Sequence, residues 1–237
     1  MLIDQEKCIG CRKCIPYCPA RAIVLQEKKV TIDFDECVEC NVCQRVGVCE
    51  ADALVRQPLE WPRSVRAVYS DPLNVHKETG LAGRGTEEIK TNDVTGRFKP
   101  GEIGIAVEVG RPGLGTRLRE LQKMSVALAQ MASVTFEPKN PLTGLIDLEN
   151  GTLPADILDE KVLSAIIEIS VPKDRMVAVV ETIRRTAESM DTVISVDVAS
   201  RPDMQGTWEG AAALTAAGIW YRPNAKINVG LGKPLIE

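Results

Sequence analysis

Eight cysteines, all between positions 8 and 49 of a 237-residue chain, constrain this sequence more than any other feature. They form two runs: Cys8, Cys11, Cys14 and Cys18, followed by Pro19, and then Cys37, Cys40, Cys43 and Cys49. Three thiols spaced by two residues can converge from one tight loop that curls around a common centre. A fourth that follows on the same turn points away from that centre. The runs repeat each other. Cys8, Cys11 and Cys14 map onto Cys37, Cys40 and Cys43 at a constant offset, Ile3-Asp4 is echoed by Ile32-Asp33, and Ala22-Ile23 by Ala53-Leu54. Structural disulfides fit poorly, because the charged start Met1-Leu2-Ile3-Asp4-Gln5-Glu6-Lys7 is no apolar signal and no cysteine exists elsewhere to staple. Two four-thiolate zinc sites usually pair two C-x2-C knuckles, which leaves the third cysteine of each run without a place. A third alternative is one metal centre with spare thiols, since the second run is irregular.

The first run, C-x2-C-x2-C-x3-C-P, resembles bacterial ferredoxins that carry two [4Fe–4S] clusters. The resemblance covers residues 1–57 and implies short paired strands around two cluster-bearing turns. In that family the fourth cysteine of each run serves the other cluster. It therefore implies one cluster on Cys8, Cys11, Cys14 and Cys49, and a second on Cys37, Cys40, Cys43 and Cys18. One departure stands out. Five residues separate Cys43 from Cys49, where the first run has three between Cys14 and Cys18, and Glu50 replaces the usual proline. This insertion is expected to bulge the loop near the first cluster. With little apolar material available in residues 1–57, the clusters are expected to act as the core, so that metal binding and folding are one event.

Composition narrows what the rest can be. Aromatic residues make up 4% of the chain, so a core outside the cysteine region must be built from Val, Ile, Leu and Ala. A formal net charge of −4 argues against nucleic acid as a partner, because phosphate binding needs clustered Lys and Arg. No apolar run approaches the roughly 20 residues that span a bilayer. The expectation is a cytoplasmic protein of an anaerobic or low-oxygen setting.

Residues 58–102 read as a Pro/Gly-rich connector or docking arm, with a strand suggested at Val65, Ala67, Val68 and Tyr69 and His76 as a surface residue. From Ile103 the pattern sharpens. Strands are predicted at 103–109, 134–136, 165–171 and 192–199, with an amphipathic helix over about 116–132, capped by Thr116, and another carrying Met176, Val179, Val180, Ile183, Ala187 and Met190. A broken insertion spans 138–158. The order is βαββαβ, so residues 103–200 are expected to form a ferredoxin-like plait. The fold class expected is thus α+β, a two-cluster ferredoxin domain joined to that plait. Arg111-Pro112-Gly113-Leu114, after the first strand, is similar to the Arg-Pro-Gly-Leu turn of ACT domains, although Gly110 replaces their usual Asp. That resemblance implies pairing into a homodimer and a small effector near Gly113; the glycines could equally serve close packing. The tail, 201–237, holds Trp208 and Trp220, a short helix at 210–217 and a strand at 225–231, for packing or an interface.

The clusters are the only chemistry the sequence declares. Fully ligated, they leave no iron open to substrate, and the expected function is single-electron relay in the ferredoxin-like subunit of a larger oxidoreductase, with a redox partner or catalytic subunit. The alternative is a redox-responsive regulator whose ACT-like domain binds an effector. No acid–base pair or nucleophilic triad marks a self-contained catalyst.

Overall fold

The computed structural model describes residues 1–83, 99–111, 115–200 and 208–222. In the cysteine region, β1 (Leu2–Ile3) pairs antiparallel with β4 (Leu54–Val55), and β2 (Ile23–Gln26) with β3 (Lys29–Ile32). The second pair is the hairpin expected from the sequence. It turns at Glu27 and Lys28, both with positive φ, as a two-residue hairpin requires. Between β3 and β4 lies a single turn of helix, α1 (Val42–Arg45), which begins before Cys43 and runs into the longer spacer that leads to Cys49. The apolar core here is small: Met1, Ile23, Val30 and Leu54 are buried together with Cys43, and Cys8, Cys14, Cys18, Cys37 and Cys49 pack around them.

The connector departs from expectation. Val65 and Val68 lie in a short helix, α2 (Ser64–Val68), not a strand. Their spacing explains this, since Val65 and Tyr69 are four residues apart, share one helical face, and are both buried in the large core. His76 is also buried, 3% exposed, with Nε2 2.9 Å from the Gly83 carbonyl oxygen and its ring tilted against Tyr69 at 5.9 Å. A loop histidine that packs on a tyrosine is part of the wall, and the surface expectation fails for that reason.

Next comes β5 (Glu102–Val109), then β6 (Thr116–Arg117), α3 (Leu118–Ala129) and β7 (Thr135–Phe136). Thr116 does not cap α3; it is extended and pairs with Val162 in β8 (Lys161–Val162). The insertion between β7 and β8 is well packed, with Leu142, Ile146, Leu153 and Ile157 all in the core. It is followed by β9 (Ala165–Pro172), α4 (Met176–Ala187), β10 (Ile194–Ala199) and α5 (Glu209–Ala216). The main sheet runs β10-β5-β9-β7, every neighbour antiparallel. Ile105 sits opposite Ile169, and Val107 opposite Ile167. Alternate residues of β5 and β9 thus meet Leu118, Leu121, Met124 and Leu128 of α3 and Met176, Val179, Val180 and Ile183 of α4 in one core. Each such side chain contributes about 1.5–3 kcal/mol on full burial. The remaining face of β5 is buried too, with Ala106 beside Ile166. Leu214 and Ile219 join the large core, and Trp208 packs edge-on against Tyr221 at 5.8 Å. Trp220 is exposed. The turn residues 112–114 and the predicted strand at 225–231 lie outside the described residues.

Candidate iron–sulfur centres

The repeat seen in the cysteine spacing extends to the backbone. Asp4 Oδ1 accepts the Glu6 and Lys7 N–H groups at 3.0 and 3.4 Å, and Asp33 Oδ1 accepts those of Asp35 and Glu36 at 2.9 and 3.3 Å. The Cys8 N–H donates to Asp4, and the Cys37 N–H to Asp33, both at 2.9 Å. Left-handed φ recurs at matched positions: Gly10 and Glu39, Arg12 and Asn41, Arg21 and Asp52. Non-glycine residues rarely adopt that conformation, and when they do it marks a backbone held to a purpose. Here it curls each C-x2-C-x2-C segment inward.

The fourth cysteine of each run is held alike. The Ala22 N–H donates to Cys18 Sγ at 3.2 Å and the Ala53 N–H to Cys49 Sγ at 3.3 Å. Those alanines are the echoed residues of the sequence repeat.

The thiols gather in two sets. Burial pushes the Cys14 thiol above its ordinary range, and the neighbouring thiols that add to the rise are Cys11, Cys49 and Cys8. Burial pushes Cys43 up to about 12, and its thiol neighbours are Cys40, Cys18 and Cys37. Cys40 is raised the same way, by burial first and then by Cys18 and Cys37, while the Val42 N–H opposes. For Cys37 burial again leads, opposed by the Glu39 N–H. A cavity lies among Cys18, Cys37, Cys40 and Cys43, walled by Met1, Pro19, Ala20, Ala22, Ile23, Ile32, Val38 and Asn41. An apolar cavity ringed by four soft donors, with peptide N–H groups aimed at the sulfurs, fits an iron–sulfur cluster. Among the described residues, no three Cys, His, Asp or Glu side chains are grouped to hold a single metal ion.

The two sets differ in setting. In the first, Cys11 is exposed and Cys8, Cys14 and Cys49 are half-buried; in the second, Cys40 and Cys43 are buried. Val38 and Cys40 pack with Leu163, which follows β8. Polar contacts reinforce that seam. Arg63 reaches Glu39 at 2.6 Å, Arg117 reaches Asp35 at 2.7 Å, Lys161 pairs with Glu36, and the Leu163 N–H donates to Ser70 Oγ at 2.9 Å. The Arg117 hydrogen bond holds Asp35 below the usual carboxylate range. Arg45 and Asn41 both reach Asp71 at 2.7 Å. Partial burial pushes Asp71 up, yet Asn41, the Leu73 N–H and Arg45 together leave it below the ordinary value. Within the five residues between Cys43 and Cys49, Arg45 anchors to the connector through Asp71. Sequence reasoning singles out none of these seam residues. The one available signal is an arginine, Arg66, inside the apolar run 65–69; it too joins the seam, with Nη1 2.9 Å from the Cys37 carbonyl oxygen.

Comparison with known proteins turns on this same region. The 4Fe-4S binding domain family matches residues 1–24. Ferredoxin-1 of Rhodobacter capsulatus is 38% identical over 56 residues, covering 22% of this chain and 86% of that protein. The chain belongs to the ferredoxin family. Pyruvate synthase subunit PorD of Methanothermobacter marburgensis is 42% identical over 41 residues, 17% of this chain and 47% of PorD. A subunit of the ion-translocating oxidoreductase complex of Methanosarcina acetivorans is 43% identical over 52 residues, 22% of this chain. The chain spans about half the length of that PorD and 19% of that oxidoreductase subunit. No solved structure matches it. Among the described residues, no helix is long and apolar enough to cross a membrane.

Proposed function

We propose that this ferredoxin-family chain relays single electrons through two [4Fe–4S] clusters, as the ferredoxin-like subunit of a larger cytoplasmic oxidoreductase working where oxygen is scarce. Cys8, Cys11, Cys14 and Cys49 would hold one cluster, and Cys37, Cys40, Cys43 and Cys18 the other. The observation that supports this is the cavity lined by Cys18, Cys37, Cys40 and Cys43, where the fourth cysteine of the first run stands with three of the second. A bound cluster supplies a reversible one-electron couple and, with four thiolates, leaves no iron open to substrate. The chain's own part is to position the thiolates, aim N–H groups at sulfur and exclude water from the second centre. The subunit reading draws on the relatives, two of which are named as subunits of pyruvate synthase and of an ion-translocating oxidoreductase. It also draws on the large second unit, since a diffusing carrier needs none.

Iron and acid-labile sulfide analysis of protein isolated without oxygen tests this, together with electron paramagnetic resonance of the reduced form. Two cubanes' worth of iron and a spin-coupled signal are expected, and Cys18→Ser should impair the centre of Cys37, Cys40 and Cys43. Folded but colourless protein, or stoichiometric zinc, would overturn the reading.

A second reading is favoured by one observation, the β10-β5-β9-β7 order of the sheet with α3 and α4 as its connecting helices. It takes residues 103–200 as an ACT-like plait that dimerises and binds an effector near Gly113, which makes the protein a redox-responsive regulator. Against it, Gly110 and Gly115, which flank that turn, have a packing role. A Cβ on Gly115, whose φ is +97°, would lie 2.5 Å from the Val162 carbonyl oxygen. Saturable binding of an amino acid by calorimetry would support the second reading, and co-purification with a catalytic subunit the first.

A further inference from the structure

Arg66 belongs to α2, outside the cysteine repeat, and is only 4% exposed. Its Nη1 lies 3.1, 2.7 and 2.9 Å from the carbonyl oxygens of Phe34, Asp35 and Cys37, and its Nε pairs with Glu160. The repeat supplies an internal control. The matched carbonyls of the first turn are those of Gln5, Glu6 and Cys8. There the Gln5 side chain donates to the Val30 carbonyl, and the Asp4 carboxylate accepts the Glu6 and Lys7 N–H groups. Among the described residues, no buried cation reaches that first turn.

We propose that Arg66 is a positioning residue that raises the reduction potential of the centre held by Cys18, Cys37, Cys40 and Cys43, and that Glu160 tempers the effect. Reducing a centre adds one electron, delivered by the partner, and one unit of negative charge. A cation fixed in a poorly solvated place beside a ligand's own peptide stabilises that added charge. A guanidinium stays protonated at any accessible pH, so this field is permanent. Glu160, 14% exposed and paired to the same guanidinium, opposes it. The other cations here lack this placement: Arg63 binds the Glu39 carboxylate and the Phe34 carbonyl, the Met1 ammonium binds Glu39, Arg45 binds Asp71, and Arg117 and Lys161 bind the Asp35 and Glu36 carboxylates. Arg66 alone among them holds the carbonyl of a cysteine of the set. Because it sits on α2 and pairs with the residue just before β8, it also ties the second centre's potential to the seating of the large unit.

The inference rests on the two-cluster reading. A potentiometric titration of the full-length holoprotein, followed by electron paramagnetic resonance, separates the two questions. Wild-type iron content tests the clusters. The variants then test Arg66. Arg66→Gln should move one couple downward, Glu160→Gln should move that same couple upward, and the other couple should stay put. Cys11→Ser, a change at the exposed centre, marks which couple is the other one. Opposite shifts are what a merely structural role cannot produce. Shifts in the same direction, no shift, or a shift of the couple marked by Cys11→Ser would overturn the proposal. Should Arg66→Gln lose its clusters, the upward shift in Glu160→Gln decides alone, and its absence sinks the idea.

Discussion

The first and second halves of the cysteine region share backbone hydrogen bonds, left-handed positions and sulfur spacing, yet they live in different surroundings. The first keeps Cys11 at the surface, with Ile9 73% exposed beside it. The second is pressed against α2 and Leu163, its acidic turn gripped by Arg63, Arg66, Arg117 and Lys161. Local geometry follows the repeat, whereas solvation and field follow what the rest of the chain packs against. Near-identical turns are therefore given unequal surroundings without altering a single cysteine, and on the two-cluster reading that would make their redox properties unequal.

The harshest way to probe that contrast is to remove one cysteine from each half. Cys14→Ser and Cys43→Ser should each lose about half the iron, one cluster of two. Cys43→Ser should lower Tm further, because Cys43 belongs to the small core with Ile23, Val30 and Leu54. Metal analysis and thermal melts decide it; equal destabilisation would break the comparison.

Asp71 comes next, since it touches only the second half. Asp71→Ala leaves Arg45 and Asn41 without their partner and should cost about 1–3 kcal/mol in denaturant unfolding. The same contact sets a pH dependence. A carboxylate whose folded pKa is depressed stabilises above its unfolded pKa and loses that stabilisation as pH falls through the folded value. Wild type should therefore lose stability on acidification below about pH 4, and Asp71→Ala should lose less.

Gly47, with φ +63°, closes the inserted turn after α1, and no atom lies within 4 Å of an added Cβ. Gly47→Ala should cost about 1 kcal/mol from backbone strain alone. A larger loss would mean the insertion carries contacts beyond its own turn. The smallest effect belongs to the first half. Lys13→Ala breaks the pair with Glu50, but both groups are exposed, and no resolvable change in melting is expected.

Several features are legible in the sequence because their signals are local. The β2–β3 hairpin and the stripes of α3 and α4 follow from period and turn chemistry, and the likeness of the two cysteine turns from their shared spacing. The connector is harder, because its five residues Val65 to Tyr69 suit either period and alternation alone points to a strand. Only the common burial of Val65 and Tyr69 settles it as a helix. His76 reads as exposed because nothing in its neighbours announces that Tyr69 will cover it.

Sequence by itself determined where the thiols stand along each loop, that the halves repeat, and that a β- and helix-patterned unit follows. These depend on residues a few positions apart, and spacing along a chain is conserved on folding. Tertiary structure alone decided which half is enclosed, and that Arg66 would bind Cys37 on one side and Glu160 on the other. Those partners are 29 and 94 residues away, and no periodicity encodes a contact at that range.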